Sequence, residues 1–373
     1  ILDSPYVPLK FEPHLATVGD TKVRITNVGL RTLVEILARC RTARYLHWIL
    51  DESQITSYGE LRSFWNRQLL SDLLPAGCRV AATVYTQKSR MDHRVGLLKS
   101  VREALQEADL LATSEADFDV GLSLSFDQDI CQLRLNPTHQ ELFRRNYKRC
   151  HTAVAPLGEH IAAGLIQYLQ RIYPPTAHQT YTLYIPFAGS GTLGWEALLL
   201  DRGISNLAFV NSTGLEHWQV DAQPTVQHVE KSLAANAPYQ IGQLVFADID
   251  PQQVNSLDAT WQSWQQQLQG PWPQCQIESQ DFWHWEPELS QGPLTVLLNP
   301  PFDHRLPTIA APQETYQRIW KRLDYLASRT PCRGVCLIPA EIPTQLPGHW
   351  QHQSLALRSG GKSLSAIFFN IIK

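Results

Sequence analysis

The chain has 373 residues, 43% of them hydrophobic and 18% charged, with a formal net charge of −3. That length and apolar content support a sizeable core and two or three domains rather than a disordered or fibrous chain. The near-balanced charge argues against a strongly basic nucleic-acid binder, so any contact with nucleic acid must come from local patches.

No apolar run nears the roughly 20 residues that cross a bilayer, and the opening residues lack the basic and apolar regions of a signal peptide. The sequence therefore reads as cytoplasmic, with no membrane partner. It opens at Ile1 and its one methionine is Met91, so a trimmed N-terminus is expected. The seven cysteines, at 40, 78, 131, 150, 275, 332 and 336, are odd in number and scattered, unlike a disulfide framework. Cys332 and Cys336 are the only close pair, with no second pair or His cluster beside them, so no metal site is expected.

In chain order, TKVRITN (21–27) reads as a strand, LRTLVEILARCRTARYLHWIL (30–50) as helical and CRVAATVYT (78–86) as a strand. HRVGLLKSVREALQ (93–106) reads as a helix with Val95, Leu98, Val101 and Leu105 on one face. DVGLSLSFDQD and ICQLRLNPT are alternating strands around a turn at 127–129. Together these make residues 1–140 an α+β region. The acidic EADLLATSEADFD (107–119) reads as a solvent-facing loop. Residues 141–170 form a connection, in which the basic, aromatic FRRNYKRCHTAVA leads into a helix over 157–169, headed by Pro156 and stopped by Pro174 and Pro175.

Over 171–373 apolar strands alternate with helices, the pattern of a doubly wound, mainly parallel α/β domain. Strands are expected at 181–185, 243–248, 294–299 and 334–340, and in the tail LSAIFFNII. Residues 200–241 are long for a strand-to-helix-to-strand connection, which implies an insertion or elements that periodicity does not reveal.

The chemistry concentrates at the ends of these strands. YIPFAGSGTLGWEALLL runs a buried strand through Pro186 and Phe187 into Gly189, Gly191, Thr192 and Gly194, then directly into a helix. Such glycines let backbone approach a ligand, and helix-opening amides favour polar or anionic groups. By itself the spacing also fits a plain strand-to-helix turn. A dinucleotide site wants an acidic ribose ligand ~20 residues beyond the glycines, where only Glu216 stands. Asp248, at the end of the next strand in FADIDP, is better placed to accept both hydroxyls of a nucleoside ribose, with Ile249 beside it. Asp250 fits a cap for the helix that Pro251 opens. In SQDFWHW, Asp281 follows a short strand and suits an adenine amine, with Phe282 flanking the ring.

The most specific motif is LTVLLNPPFDHRL, an apolar strand ending in Asn299, Pro300, Pro301 and Phe302. Two prolines fix the backbone and remove two amide donors, leaving carbonyls without internal competitors. An amine on an aromatic ring is a poor nucleophile because its lone pair is delocalised. The Asn299 side-chain oxygen and the Pro300 carbonyl can accept its two hydrogens and turn the lone pair toward an electrophilic methyl, while Phe302 offers a stacking face.

On these residues the chain resembles the THUMP-domain class I S-adenosylmethionine-dependent RNA methyltransferases, most closely the THUMP-containing half of bacterial large-subunit rRNA guanine-N2 methyltransferases. PFAGSGTLGWEAL resembles the family's cofactor loop, FADIDP its ribose strand and NPPFDHRL its NPPY-type catalytic loop. SRMDHRVGLLKSVREAL is similar to the end of THUMP, and LFRRNYKRCHTAVAPLGEHIAAGLI to the connection into the catalytic domain. The resemblance implies a ferredoxin-like and THUMP N-terminal region, a Rossmann-like catalytic domain, S-adenosylmethionine as methyl donor and RNA, ribosomal or transfer, as partner. The chain departs from the family at Ile185, where Asp is usual, and at Asp303, His304 and Arg305, where Gly-Glu-Arg is usual. Loops of the NPPF type also resemble those acting on adenine or on protein glutamine, and Ile185 leaves an inactive RNA-binding relative open. For RNA contact the expected residues are Lys88, Arg90, His93 and Lys99 in one basic group and Arg144, Arg145, Lys148 and Arg149 in another.

Overall fold

The computed structural model describes residues 29–65, 67–114, 117–138, 141–148, 157–209, 214–219, 221–268, 270–284, 286, 292–301 and 312–372. The strand expected at 21–27, Arg149, Pro156, Phe302 and residues 303–305 lie outside the described residues.

The N-terminal unit holds helices α1 (Leu30–Arg39), α2 (Tyr58–Phe64), α3 (Arg67–Leu73) and α4 (Arg94–Glu107). Its strands are β1 (Trp48–Gln54), β2 (Arg79–Gln87), β3 (Leu111–Thr113), β4 (Val120–Asp127) and β5 (Ile130–Asn136), in the sheet order β1-β5-β4-β2-β3. β4 and β5 are antiparallel neighbours, joined through Gln128 (φ 51°) and Asp129 (φ 66°). Two successive left-handed residues match the twist of a tight hairpin, which is the turn read at 127–129.

Three readings of this unit need correction. The stretch 107–119, expected as a solvent-facing loop, holds the end of α4 and strand β3, which pairs with β2, and its Ala108 and Leu110 are buried. The helix expected over 30–50 ends at Arg39, and Trp48–Gln54 instead pairs with β5. The helical period breaks at Arg41, whose side chain is buried in an ion pair rather than exposed on a helix face. In α4 the buried face is Leu97, Val101, Ala104 and Leu105, while Val95 is 73% exposed. The stripe therefore starts two residues later than expected, at Leu97, with spacings of four, three and one that suit a helix equally well.

The second unit comprises α5 (Glu159–Ile172), β6 (Tyr181–Pro186), α6 (Thr192–Asp201), α7 (Gln223–Ala235), β7 (Ile241–Asp248), α8 (Pro251–Gln267), β8 (Gln274–Ser279), β9 (Leu294–Leu298), α9 (Pro312–Arg329), β10 (Cys332–Pro339), β11 (Gln351–Ser359) and β12 (Lys362–Ile371). Its seven strands run in the order β11-β12-β10-β9-β6-β7-β8, parallel from β10 to β8, with β12 antiparallel to both its neighbours. Helices cover both faces. Leu165, Leu193, Leu198, Trp261 and Trp264 pack with Leu183 and Ile185 on one side. On the other, Ile319, Trp320 and Leu323 pack with Tyr184, Val296 and Leu298. Alternation along a parallel strand requires such double coverage.

The described residues of the 200–241 stretch are structured. They form two 3-10 turns, Asn206–Phe209 and Gly214–His217, and then α7. Leu215, Trp218, Ala222 and Val229 join Leu37, Val120 and Leu135 in the core of the N-terminal unit. Trp218 packs on Trp48 with ring centroids 5.1 Å apart, and the Gly214 and Gln219 amides donate to the Pro137 and Leu73 carbonyls at 3.1 and 2.9 Å. An insertion in one unit thus completes the other. Cys78, Cys131, Cys332 and Cys336 are buried free thiols. Among the described residues no helix is long and apolar enough to cross a membrane.

Candidate active site

β6 lies between β7 and β9, so the carboxyl ends of the three parallel strands share one rim of the sheet. From β6 the chain proceeds to β7 and β8 on one side, then crosses to β9 and β10 on the other. Such a switch in direction opens a crevice beyond the strand ends, the usual ligand position in doubly wound sheets. The glycine loop and the Asn299 turn both leave strands at this point.

The loop turns through left-handed residues Phe187 (φ 57°), Gly189 (φ 52°) and Gly191 (φ 74°). A Cβ on Gly189 would meet nothing within 4 Å, leaving space over the backbone. One on Gly191 would lie 2.4 Å from Trp195 Nε1 and 2.5 Å from Leu257 Cδ2. Only glycine combines that φ with that contact. The Trp195 indole donates to the Ser190 carbonyl at 3.2 Å, and α6 starts without a side-chain cap. Its first amides therefore remain available to a polar ligand group. Ile185 is 2% exposed and belongs to the core beneath α6.

Asp248 ends β7 beside this loop. Its Oδ2 accepts from the Gly189 amide at 2.7 Å and its Oδ1 from the Asp250 amide at 3.0 Å. Each carboxylate oxygen retains a further acceptor position. Ile249 next to it is 64% exposed and offers an apolar surface. Asp250 is the cap expected of it, accepting from the Gln252 amide at 2.9 Å.

Asp281 is half-exposed and accepts from the Trp283 amide at 3.1 Å. Phe282 is 2% exposed, with its ring 5.2 Å from Phe187 and 6.3 Å from Tyr184. Its ring, in the turn that follows β8, backs the loop from inside the core instead of standing at the surface. Trp283 is the half-buried ring next to Asp281, and the Arg318 guanidinium lies 4.3 Å from its centre. Sequence reading passed over this pair, although a Trp directly after the Asp-Phe step was the available signal.

Asn299 follows β9, with Pro300 buried and Pro301 half-buried. Its Oδ1 is shielded from solvent and has no hydrogen-bond partner among the described residues. An unsatisfied buried acceptor costs about 1–3 kcal/mol, so Asn299 Oδ1 gains from any donor brought to it. Among the described residues no group of three or more His, Cys, Asp or Glu is arranged to hold a metal.

The basic clusters divide. Arg145 is fully shielded and donates to Glu196 Oε1 at 2.9 Å, to Asn206 Oδ1 at 3.0 Å and to the Arg41 carbonyl. Arg41 reaches the other Glu196 oxygen, and the Tyr147 hydroxyl donates to Glu196 Oε1 at 2.9 Å. Burial draws the Arg41 guanidinium down to about 10, against the opposing pull of Glu196, and raises the Glu196 carboxyl. Arg145 is thus a structural ion-pair partner, contrary to its expected RNA role. Lys148 has 7% of its side chain exposed and pairs with Glu159 at 3.2 Å, so it too is withdrawn from the surface. His93 caps α4, with Nδ1 accepting from the Gly96 amide at 3.3 Å. Arg90, Lys99 and Arg144 remain 75%, 79% and 66% exposed, and Lys88 is exposed as well.

No protein-family model matches the chain. Over 207 residues, 54% of this chain, it is 26% identical to the ribosomal RNA large subunit methyltransferase K/L of Shewanella oneidensis. The match covers 27% of that relative, so the chain corresponds to about a quarter of its length. Two solved structures align with nearly the whole chain. SMU.472, described as a candidate methyltransferase and complexed with SAH, has a TM-score of 0.67 at 16% identity, covering 92% of this chain and 88% of that one. A protein of Listeria monocytogenes str. 4b F2365, described as a predicted N6-adenine-specific DNA methylase, has a TM-score of 0.67 at 15% identity, covering 93% and 87%. With the seven-stranded order and helices on both faces, these alignments identify the fold of the second unit as that of the Rossmann-like class I methyltransferases.

Proposed function

We propose that this chain is an S-adenosylmethionine-dependent methyltransferase acting on the exocyclic N2 of guanine in RNA. Residues 1–140 serve as a THUMP-containing RNA-binding region, 141–170 as the connection and 171–373 as the catalytic domain. The carrying observation is the buried Oδ1 of Asn299, without a partner among the described residues, at the switch point that also receives the glycine loop.

The residues present fit the donor. Open space over Gly189, the uncapped start of α6 and the Asp248 carboxylate supply a backbone cradle, amide donors and ribose acceptors on one rim. When bound, S-adenosylmethionine supplies a sulfonium methyl group. The site as proposed consists of Pro186, Phe187, Gly189, Gly191 and Thr192 in the loop, Asp248 and Ile249 at the ribose, and Asp281 at the adenine. Phe282 supports the loop from within. Asn299 Oδ1 and the Pro300 carbonyl accept the two hydrogens of a planar amine, which exposes its lone pair on one face, and Pro301 keeps the turn stiff. A guanine paired in a duplex cannot bring its amine there, so the base must leave its stack and rest on Phe302. RNA is favoured by the sequence relationship to the K/L enzymes, and exposed Lys88, Arg90, Lys99 and Arg144 supply cations for phosphates.

The same acceptor pair would orient the amine of adenine, the base named for the Listeria protein. Incubation of the chain with methyl-labelled donor and RNA, followed by digestion to nucleosides, separates the readings. Label on N2-methylguanosine is the expected result, and label on N6-methyladenosine would overturn guanine as the target.

A further inference from the structure

The withdrawal of Arg145 and Lys148 into the interior leaves a different set of cations and rings on the surface of the connection. The Leu142 amide donates to the Arg44 carbonyl at 2.9 Å, which registers residues 141–144 against the segment after α1. A tight turn, closed by the Arg144 amide on the Glu141 carbonyl at 2.9 Å, brings Glu141 back over that junction. Glu141 then collects three neighbours: Arg44 through Nε and Nη2, the Tyr45 hydroxyl at 2.7 Å, and Arg144 through Nε. Both guanidiniums also lie over the Phe143 ring, at 5.7 and 6.0 Å from its centre, and Phe143 rests on His160 at 4.4 Å.

Two guanidiniums share one carboxylate, so a net positive charge remains at a point where Arg44 and Arg144 are 61% and 66% exposed. Surface ion pairs of this kind add little stability, and holding two like charges on one ring opposes it. Tyr45 is 55% exposed, its ring parallel to that of His47. Fixed guanidiniums suit phosphate oxygens, and an exposed ring suits a base face, which only an unstacked nucleotide presents.

We infer that Arg44, Tyr45, Phe143 and Arg144 form a docking surface for a single-stranded RNA segment, with Glu141 holding the two arginines in place and yielding them to phosphate. The inference rests on the proposed RNA substrate and adds a second contact region beside the Lys88 to Lys99 group. Glu141 has a specific consequence: as the anion that competes with phosphate, it restrains affinity, so its neutralisation strengthens binding.

The test measures anisotropy of a labelled, mixed-sequence single-stranded RNA and of its duplex form on the full chain across a salt series. The variants are the Arg44→Ala, Arg144→Ala double substitution, Tyr45→Ala and Glu141→Gln, each checked for an unchanged unfolding midpoint. Loss of two phosphate contacts should lower the salt slope by ~1.4. Tyr45→Ala should weaken the single strand about tenfold and the duplex little. Glu141→Gln should tighten binding, which a purely structural carboxylate would not do. Parental affinity and slope in all three variants, while the parent binds RNA, would overturn this surface and leave the RNA substrate standing. A parent that binds no RNA would overturn both. Equal losses toward polyglutamate would show a general anion site and overturn RNA docking.

Discussion

The Gly189 amide donates to Asp248 Oδ2 at 2.7 Å, fixing the loop after β6 to the end of β7. One carboxylate thereby shapes the backbone cradle and, with its remaining acceptor positions, faces a ribose. Asp248→Ala should weaken S-adenosylmethionine binding by about 1.5–3 kcal/mol, the range for hydrogen bonds to a charged acceptor. Calorimetry measures this directly, and equal affinity in variant and parent would place the ribose ligand elsewhere.

Arg145 and Arg144 are adjacent in sequence and opposite in role. Arg145→Ala leaves the buried Glu196 carboxylate, among the described residues, with Arg41 and Tyr147 and should destabilise the fold by about 3–5 kcal/mol in urea titrations. Arg144→Ala should stay within about 0.5 kcal/mol of the parent. A stable Arg145→Ala protein with weakened RNA binding would return Arg145 to the surface role.

Trp218 belongs in sequence to the second unit and in space to the N-terminal core. Truncation to alanine should cost about 3–5 kcal/mol. Hydrogen exchange should quicken in β4 and β5 as well as around Trp218. Faster exchange confined to residues 214–235 would mean that the insertion does not support the N-terminal sheet.

Asp119 is held below the ordinary carboxylate range, chiefly by its side-chain hydrogen bond with Arg79. A depressed native pKa contributes stability above the unfolded value and loses it as pH falls through the native one. Stability should therefore drop below about pH 4, with Asp119 contributing part of the loss. Asp119→Asn should flatten this acid limb, and an unaltered limb would assign the loss to other carboxylates.

Sequence made the seven-stranded sheet legible because β6, β7, β9 and β10 are mainly apolar runs bounded by Gly, Pro or Asp. β11 escaped because it is a largely exposed edge strand with a polar sequence, which carries no burial pattern. Arg145 and Lys148 were misread for a common reason: one-dimensional charge patterning cannot distinguish a solvated cation from one that meets a distant carboxylate, here Glu196 or Glu159. α7 escaped for a related reason, since its apolar face packs on α1 rather than on its own sheet. The end of β9 just before Asn299, by contrast, was readable because Pro300 and Pro301 cannot continue a strand.

The central claim is that Asn299 orients a reacting amine rather than holding either substrate. Single-turnover methyl transfer to guanine-containing RNA, with donor and RNA affinities measured separately, tests it most directly. Asn299→Ala should lower the rate by a factor on the order of 100 or more, as when a positioned transition-state acceptor is lost, with both affinities nearly unchanged. An Asn299→Ala protein that methylates guanine at the parental rate would contradict the account.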